Sequence, residues 1–448
     1  MIDVVIGSQW GDEGKGKVVD YLSEKADIVA RFQGGANAGH TLVVNNVQYI
    51  LHLVPSGVLY NNKICVIGNG VVLDPISLID EIKVLKNKNI NLEDRLFLSE
   101  RTHLILPYHR LIDVVKEVSK GADCIGTTAR GIGPCYADKV NRIGVHAVDL
   151  LNKEVLSKKV KENVGEKLEI IFKINNMGKE KIKEILTSFK YDDVSMLEFY
   201  DEEKIINTDK LVDYLYSLGQ KLKKHIINTP VYLNQSLEAN KDILAEGAQG
   251  TMLDIEFGSY PFVTSSVTTI GNVISGLGVN PSKLRTITGI VKAYTTRVGS
   301  GPFPTELKDD FGIKLREKGA EFGATTGRPR RCGWLDLVVV KYACMLNGIN
   351  SIAITKLDVL SNLGKIKYCK SYKLDDGKVI DYLPNDLSKV QPIYEEINGW
   401  NEDITNIKNY NELPANTKKY LETIENYLKV KIDIVSVGPG REQTIIKK

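Results

Sequence analysis

The chain has 448 residues, 43% of them hydrophobic, with 59 Lys and Arg against 56 Asp and Glu. A chain of this size buries a large core without disulfide or structural-metal staples, and its apolar content excludes disorder as the dominant state. A formal net charge of +3 is too balanced for a basic nucleic-acid footprint, so partners must be sought in individual sites.

The opening MIDVVIGSQWG is a short β-branched run that passes straight into glycines. It predicts a strand over 2–6, followed by a helix over 17–24 and strands over 28–32 and 64–67. No basic, apolar and small-residue succession precedes the first strand, so a signal or transit peptide is not expected. Asp74 followed by Pro75 reads as an N-cap with proline at the first helical position, opening a helix to about residue 85. Over 149–225 lysines, glutamates and leucines fall at helical spacing with few glycines, which predicts a mainly helical subdomain with solvated charged faces. Strands are expected again at 243–246, 286–294, 351–355 and 432–437, with helices over 334–346 and near 418–427. Alternating units of this kind give the α/β class: a large, mainly parallel central sheet with flanking helices and a P-loop-like nucleotide-binding architecture.

The longest purely apolar stretches, such as 337–340, fall far short of the ~20 residues that span a bilayer, so no membrane partner is expected. Cys65, Cys124, Cys135, Cys332, Cys344 and Cys369 stand singly, with no C-x-x-C. Reduced, mostly buried thiols in a cytoplasmic protein are the expectation.

Gly11-Asp12-Glu13-Gly14-Lys15-Gly16-Lys17 lies between a predicted strand and a predicted helix with G-x-x-x-x-G-K spacing. Unobstructed amides, lysine charge and a helix N-terminus suit phosphate groups. The next residue is Val18 instead of the usual Ser or Thr, so a metal would need another oxygen ligand, and Asp12 is the candidate. A second glycine-rich loop, Gly34-Gly35-Ala36-Asn37-Ala38-Gly39-His40-Thr41, also follows a strand and places His40 beside the same crevice. The other five histidines read as structural.

Thr127, Thr128, Arg130 and Arg142, with Gln249, Thr251 and Thr264, supply hydroxyls, an amide and guanidiniums suited to a phosphomonoester and a purine edge. Arg328, Arg330 and Arg331 beside Thr325 and Thr326 suit a carboxylate or phosphate. Thr355-Lys356-Leu357-Asp358 follows a predicted strand; the Asp358 carboxylate can accept from N1 and the exocyclic amine of guanine, which favours GTP over ATP.

QWGDEGKGK at 9–17, GGANAGHT at 34–41, TTARGIGP at 127–134, EGAQGTMLD at 246–254, YPFVTSS at 260–266, GPFPTE at 301–306, GATTGRPRR at 323–331, TKLD at 355–358 and SVGPGRE at 436–442 together resemble the adenylosuccinate synthetase family from end to end. The resemblance implies one large α/β domain over 1–448 that contains the helical subdomain. It implies a magnesium-dependent enzyme that joins IMP and L-aspartate at the expense of GTP, through phosphorylation of the IMP 6-oxygen. By the same resemblance Asp12 is the base at N1 of IMP and a metal ligand, with the Gly39 carbonyl as a second ligand. His40 and Lys15 are expected to meet the transferred phosphoryl group, and Gln249 joins them as a catalytic residue.

Gly14, Lys15, Gly16, Lys17, Thr41 and Arg330 are expected at the GTP phosphates, and Lys356, Asp358, Ser436, Gly438 and Pro439 at the guanine. Asn37, Thr128, Gln249 and Thr264 are expected around IMP, and Arg130, Thr325, Thr326 and Arg328 around aspartate. The family's homodimers imply that Arg142 reaches the IMP phosphate of a neighbouring subunit. Ala129 stands where many relatives have glycine, and Pro329 where many have arginine. A regulatory GTPase or a purine-nucleotide kinase would share the phosphate loop and the guanine signal, but would need no arginine cluster.

Overall fold

The computed structural model describes residues 1–44, 47–121, 126–323 and 327–447. Thr325, Thr326 and Cys124 lie outside the described residues. Its centre is a ten-stranded sheet. In spatial order the strands are Ile226–Ile227, Leu96–Ser99, β5 (Ile64–Ile67), β2 (Ile28–Arg31), Ile243–Glu246, β1 (Ile2–Gly7), Leu284–Lys292, Ser351–Thr355, Ile432–Ser436 and Thr444–Ile446. Every neighbouring pair is parallel except the last. The expected mainly parallel sheet is therefore present, and its inner strands read as continuous β-branched runs because both faces are covered. Ile28–Arg31, Ile243–Glu246 and Ser351–Thr355 are buried at every position.

Helix α1 (Lys15–Ser23) follows β1, and a hairpin of β3 (His40–Val44) and β4 (Val47–Leu51) follows β2. Helix α2 (Pro75–Asn87) starts where Asp74 predicts: its Oδ1 accepts from the amides of Ile76 and Ser77 at 3.0 and 3.2 Å. The helix expected from residue 334 begins instead at Leu337. Leu335 and Asp336 are taken into a parallel pairing with Tyr368 and Cys369. Asp336 then caps the helix by accepting from the Val339 amide at 3.3 Å.

Residues 153–222 carry the helices Lys153–Glu169, Lys179–Ser188 and Thr208–Leu222, with a short strand pair, Tyr200–Asp201 and Ile205–Ile206, before the last. Their buried Leu156, Val160, Leu211 and Leu215 share one apolar cluster with Leu96, Leu98 and Leu111. At the other end of the sheet, Lys365–Leu374 pairs antiparallel with Val390–Asn398. Among the described residues five cysteines are free and buried. Among the described residues no helix is long and apolar enough to cross a membrane.

The strand order decides where the motifs meet. Six adjacent parallel strands run out at one edge of the sheet, so the segments that follow them stand side by side. In order they are the 34–41 loop, the 246–250 loop, the 8–14 loop, the 293–297 segment, the 355–358 turn and the 436–440 loop. The carboxyl edge of a parallel sheet is where such folds bind ligands.

Candidate active site

The phosphate-loop segment turns into α1 through Gly14 at φ 84°, a left-handed conformation that favours glycine. Gly7 serves close approach: a Cβ there would lie 2.4 Å from the Gln249 carbonyl oxygen. Glu13 is fully buried and folds back on its own loop, accepting from the amides of Gln9 and Gly11 at 3.0 and 2.9 Å. Lys15 forms a buried ion pair with its other oxygen. Two loop amides and one lysine of the motif thus serve an internal carboxylate, a role sequence reading did not assign to Glu13.

Lys17 points towards the opposite end of the edge. Its ammonium donates to Ser436 Oγ at 2.6 Å, the Gly438 carbonyl at 2.6 Å and the Gln443 carbonyl at 2.9 Å. Burial pulls its pKa down to about 7, with Asp358 and Glu442 working to raise it. In this structure the lysine of the G-x-x-x-x-G-K spacing therefore fastens the 436–440 loop to α1. Asp358 lies near it, with Oδ1 buried and without a hydrogen-bond partner among the described residues. Burial raises the Asp358 carboxyl, while Lys356 and Lys17 oppose the rise. Lys356 donates to the Gly319 carbonyl at 2.8 Å. Ser436 and Gly438 are buried and Pro439 is exposed.

His40 opens β3, with Nδ1 2.5 Å from Glu246 Oε1. Glu246 ends the buried strand Ile243–Glu246 and also accepts from the Ser56 amide and hydroxyl, both at 2.8 Å. Burial works to raise the Glu246 carboxyl, but the His40 hydrogen bond and the charges of His40 and Arg31 hold it below the usual range. The proton between the pair therefore belongs on His40 Nδ1. Burial lowers the imidazole's own pKa, against the pull of Glu246. The other ring nitrogen, Nε2, is buried without a hydrogen-bond partner among the described residues. The sequence signal for Glu246 is a carboxylate closing an otherwise apolar buried strand. Thr41 is exposed, and Gly39 is half-buried.

Asp12, at φ 59°, accepts from Arg330 Nε at 2.5 Å. Arg330 also donates to Glu321 at 2.7 Å, and Glu321 accepts from Lys292 at 2.8 Å and from the Tyr294 hydroxyl at 2.5 Å. Burial would raise the Glu321 carboxyl, but Lys292, Arg330 and Lys356 outweigh it and hold it at about 2. Arg331, next in sequence, turns away to Glu306 and donates two bonds at 2.7 and 2.6 Å. Arg328 is exposed, and its carbonyl accepts from the Gly323 amide at 2.9 Å.

Gln249 donates to Asn37 Oδ1 at 3.2 Å, and its own Oε1 is buried without a partner among the described residues. The Thr264 amide donates to the Leu253 carbonyl at 2.9 Å, tying the 260–266 segment to the loop after Glu246. Asp113 braces the 127–131 segment by accepting from Thr127 Oγ1 and the Gly131 amide, both at 2.9 Å. Ala129 sits at φ 55°, which accounts for glycine being the easier residue there. Thr128 is exposed and Arg130 half-buried in this segment. The helix Ile132–Asn141 continues it and packs beside Gly35.

Arg142 ends that helix and lines a cavity of about 460 Å³ with His103, Lys139, His146 and Lys159, among others; none of the other candidate residues lines it. The structure therefore brings Asp12, Lys15, His40, Asn37 and Gln249 to one edge and Lys17, Asp358, Ser436 and Gly438 to its continuation. Arg142 is left apart.

The adenylosuccinate synthetase family model matches residues 4–445. A Clostridium botulinum adenylosuccinate synthetase is 49% identical over 446 residues, covering 99% of this chain and 98% of the relative. One from Thermodesulfovibrio yellowstonii is 49% identical over 449 residues, with the same coverage. The solved structure of the fully ligated enzyme from Plasmodium falciparum superposes with a TM-score of 0.88 at 44% identity, covering 100% of this chain and 99% of its own. Matched over almost its whole length in both sequence and structure, the chain belongs to the adenylosuccinate synthetase family.

Proposed function

We propose a route for the reaction of this GTP-hydrolysing ligase, which joins IMP to L-aspartate and releases adenylosuccinate, GDP and phosphate. The IMP 6-oxygen attacks the γ-phosphorus, the bond to GDP breaks, and the aspartate amine then displaces phosphate from carbon 6. Phosphorylation converts a poor leaving group into a good one, so no covalent enzyme intermediate is required.

One observation carries this reading: the buried, unpartnered His40 Nε2, with Nδ1 held by Glu246. A phosphoryl group opposite Nε2 brings negative charge that raises the ring's proton affinity, so Nε2 becomes a donor to the group in transfer. Asp12 takes the proton from N1 of IMP, which builds charge on the 6-oxygen. To do so it leaves Arg330, whose guanidinium is then available to the phosphates of GTP. Lys15 and the amides of Gly14 and Gly16 face the same phosphates, with Thr41 at their edge. Gln249 and Asn37 hold the purine, beside Thr128 and Thr264. Arg130, Thr325, Thr326 and Arg328 hold aspartate. Asp358 accepts from guanine, flanked by Lys356, Ser436, Gly438 and Pro439, with Lys17 behind them.

Among the described residues no three His, Cys, Asp or Glu side chains group into a metal cage. Magnesium bound chiefly through substrate phosphates and water needs only one or two protein oxygens, and the partly exposed Asp12 carboxylate fits that demand. Asp12 and the Gly39 carbonyl would hold it. When bound, the ion neutralises charge on the phosphate oxygens.

The functional unit is a homodimer in which Arg142 reaches the neighbour's IMP phosphate; its separation from the other site residues supports this arrangement. Five buried free thiols support a cytoplasmic location.

IMP labelled with ¹⁸O at the 6-position tests the route. The label is expected in the released phosphate, and phosphate release should require IMP. Unlabelled phosphate would overturn attack by the 6-oxygen.

A further inference from the structure

The hairpin that presents His40 is tied to the rest of the molecule by a carboxylate outside the motifs. Glu81 lies on α2, nearly buried. One of its oxygens accepts from the amides of His52 and Val54 at 2.9 and 3.2 Å, the other from the amide of Leu53 at 2.8 Å. These three residues leave β4 directly after Leu51, and Leu51 is the register partner of His40 in β3. The same segment returns to the glycine loop, because His52 Nδ1 donates to the Ala38 carbonyl at 2.9 Å. Arg31 closes the arrangement by donating to the His52 carbonyl and, at 3.5 Å, to the Gly35 carbonyl. Two residues beyond Val54, Ser56 donates to Glu246, the carboxylate that holds His40.

Residues 52–56 are thus suspended between two buried carboxylates. Glu246 holds the imidazole itself, and Glu81 holds the backbone that sets where the imidazole stands. Three consecutive amides on one carboxylate define the path of the segment more narrowly than apolar packing would, since each lost bond strands a buried donor.

We infer that Glu81 is a positioning residue for His40, fixing the strand opposite it so that Nε2 is presented to the transferred phosphoryl group. This rests on the role proposed for His40. A positioning residue acts on the rate of the step and leaves substrate capture by other loops unchanged, so its loss falls on kcat.

The test uses the full chain with magnesium, GTP, IMP and aspartate, and compares E81Q, E81D, H40N and L78A. The E81Q amide keeps the size of Glu81 but sets a donor against one of the three amides. Leu78 is buried on the same helix as part of the apolar core. E81Q is expected to lower kcat about tenfold or more with the KM values for IMP and aspartate within about twofold, and to shift the ¹⁵N resonance of His40 Nε2. E81D keeps the charge at shorter reach and should fall between E81Q and the parent. L78A should lower Tm and leave kcat in place.

A parental kcat in E81Q, with H40N impaired, overturns the inference and leaves the reading of His40 standing. Loss of kcat in L78A equal to that in E81Q also overturns it, as does failure of both Glu81 variants to fold, since either assigns Glu81 to the fold alone. Full activity of H40N would instead remove the reading on which the inference rests.

Discussion

Arg330 Nε stands 2.5 Å from Asp12 Oδ2, so the carboxylate proposed as base and metal ligand is held by a guanidinium. The same guanidinium reaches Glu321 at 2.7 Å. Two carboxylates therefore share one cation, and releasing Asp12 leaves Arg330 still paired with Glu321. In the proposed route an incoming polyphosphate offsets the exchange, because it would offer new acceptors to Arg330 as Asp12 turns to the purine and the metal.

The first prediction follows from that pair. D12N removes both the base and the anionic ligand while keeping the loop's shape, and kcat is expected to fall by about 10² to 10⁴, the range contributed by a general base. GDP affinity should stay near the parent's. Steady-state kinetics at saturating magnesium check this, and a loss smaller than about tenfold would remove Asp12 from the chemistry.

Guanine selectivity is expected at Asp358, whose Oδ1 is buried without a partner among the described residues. D358N replaces one of the paired acceptors with a donor, and should weaken GTP binding by about 1 to 3 kcal/mol relative to ATP. Calorimetry of both nucleotides with both proteins measures it. Unchanged GTP affinity would place the base elsewhere.

Acid stability should carry the mark of Glu321. Its carboxyl is held at about 2, against an ordinary 4.5. A depressed folded value means that the unfolded state binds the proton first as pH falls, so the stabilisation is complete above about 4.5 and is lost progressively towards 2. The parent's Tm should drop steeply across this window. E321Q cannot titrate there and should start lower but fall less steeply in the same thermal scans.

Assembly is tested by mixing two inactive proteins, R142L and D12N. In a mixed dimer one of the two sites combines an intact Asp12 with the partner chain's intact Arg142, so random pairing at equal amounts should restore about a quarter of parental activity. Absence of recovery, with subunit exchange confirmed by differently tagged chains, would place Arg142 in its own subunit's site.

Local chemistry alone made much of this molecule legible. The runs at 64–67, 243–246 and 351–355 become strands with those bounds. Apolar β-branched segments flanked by turn residues have few alternatives in a chain with so much surface to bury. Asp74 and Pro75 start α2 because a side-chain acceptor and a fixed φ act within one turn. The glycine loops and the TKLD turn stand out as candidate ligand contacts for a similar reason, since they follow β1, β2 and Ser351–Thr355 at the carboxyl edge of the sheet.

What tertiary structure decided is which charges meet. Lys17 reads in sequence as a phosphate lysine, yet it ends on Ser436 and Gly438, because α1 and the strand Ile432–Ser436 converge at one edge. Glu246 becomes the partner of His40, and Glu321 the second anchor of Arg330, through contacts between segments far apart in the chain. Glu81 looks in sequence like any polar residue of an amphipathic helix, until the β3–β4 register turns three amides towards it. A residue type limits which partners a side chain can take. Only the packed sheet, by excluding water and fixing the register, selects which of them it has.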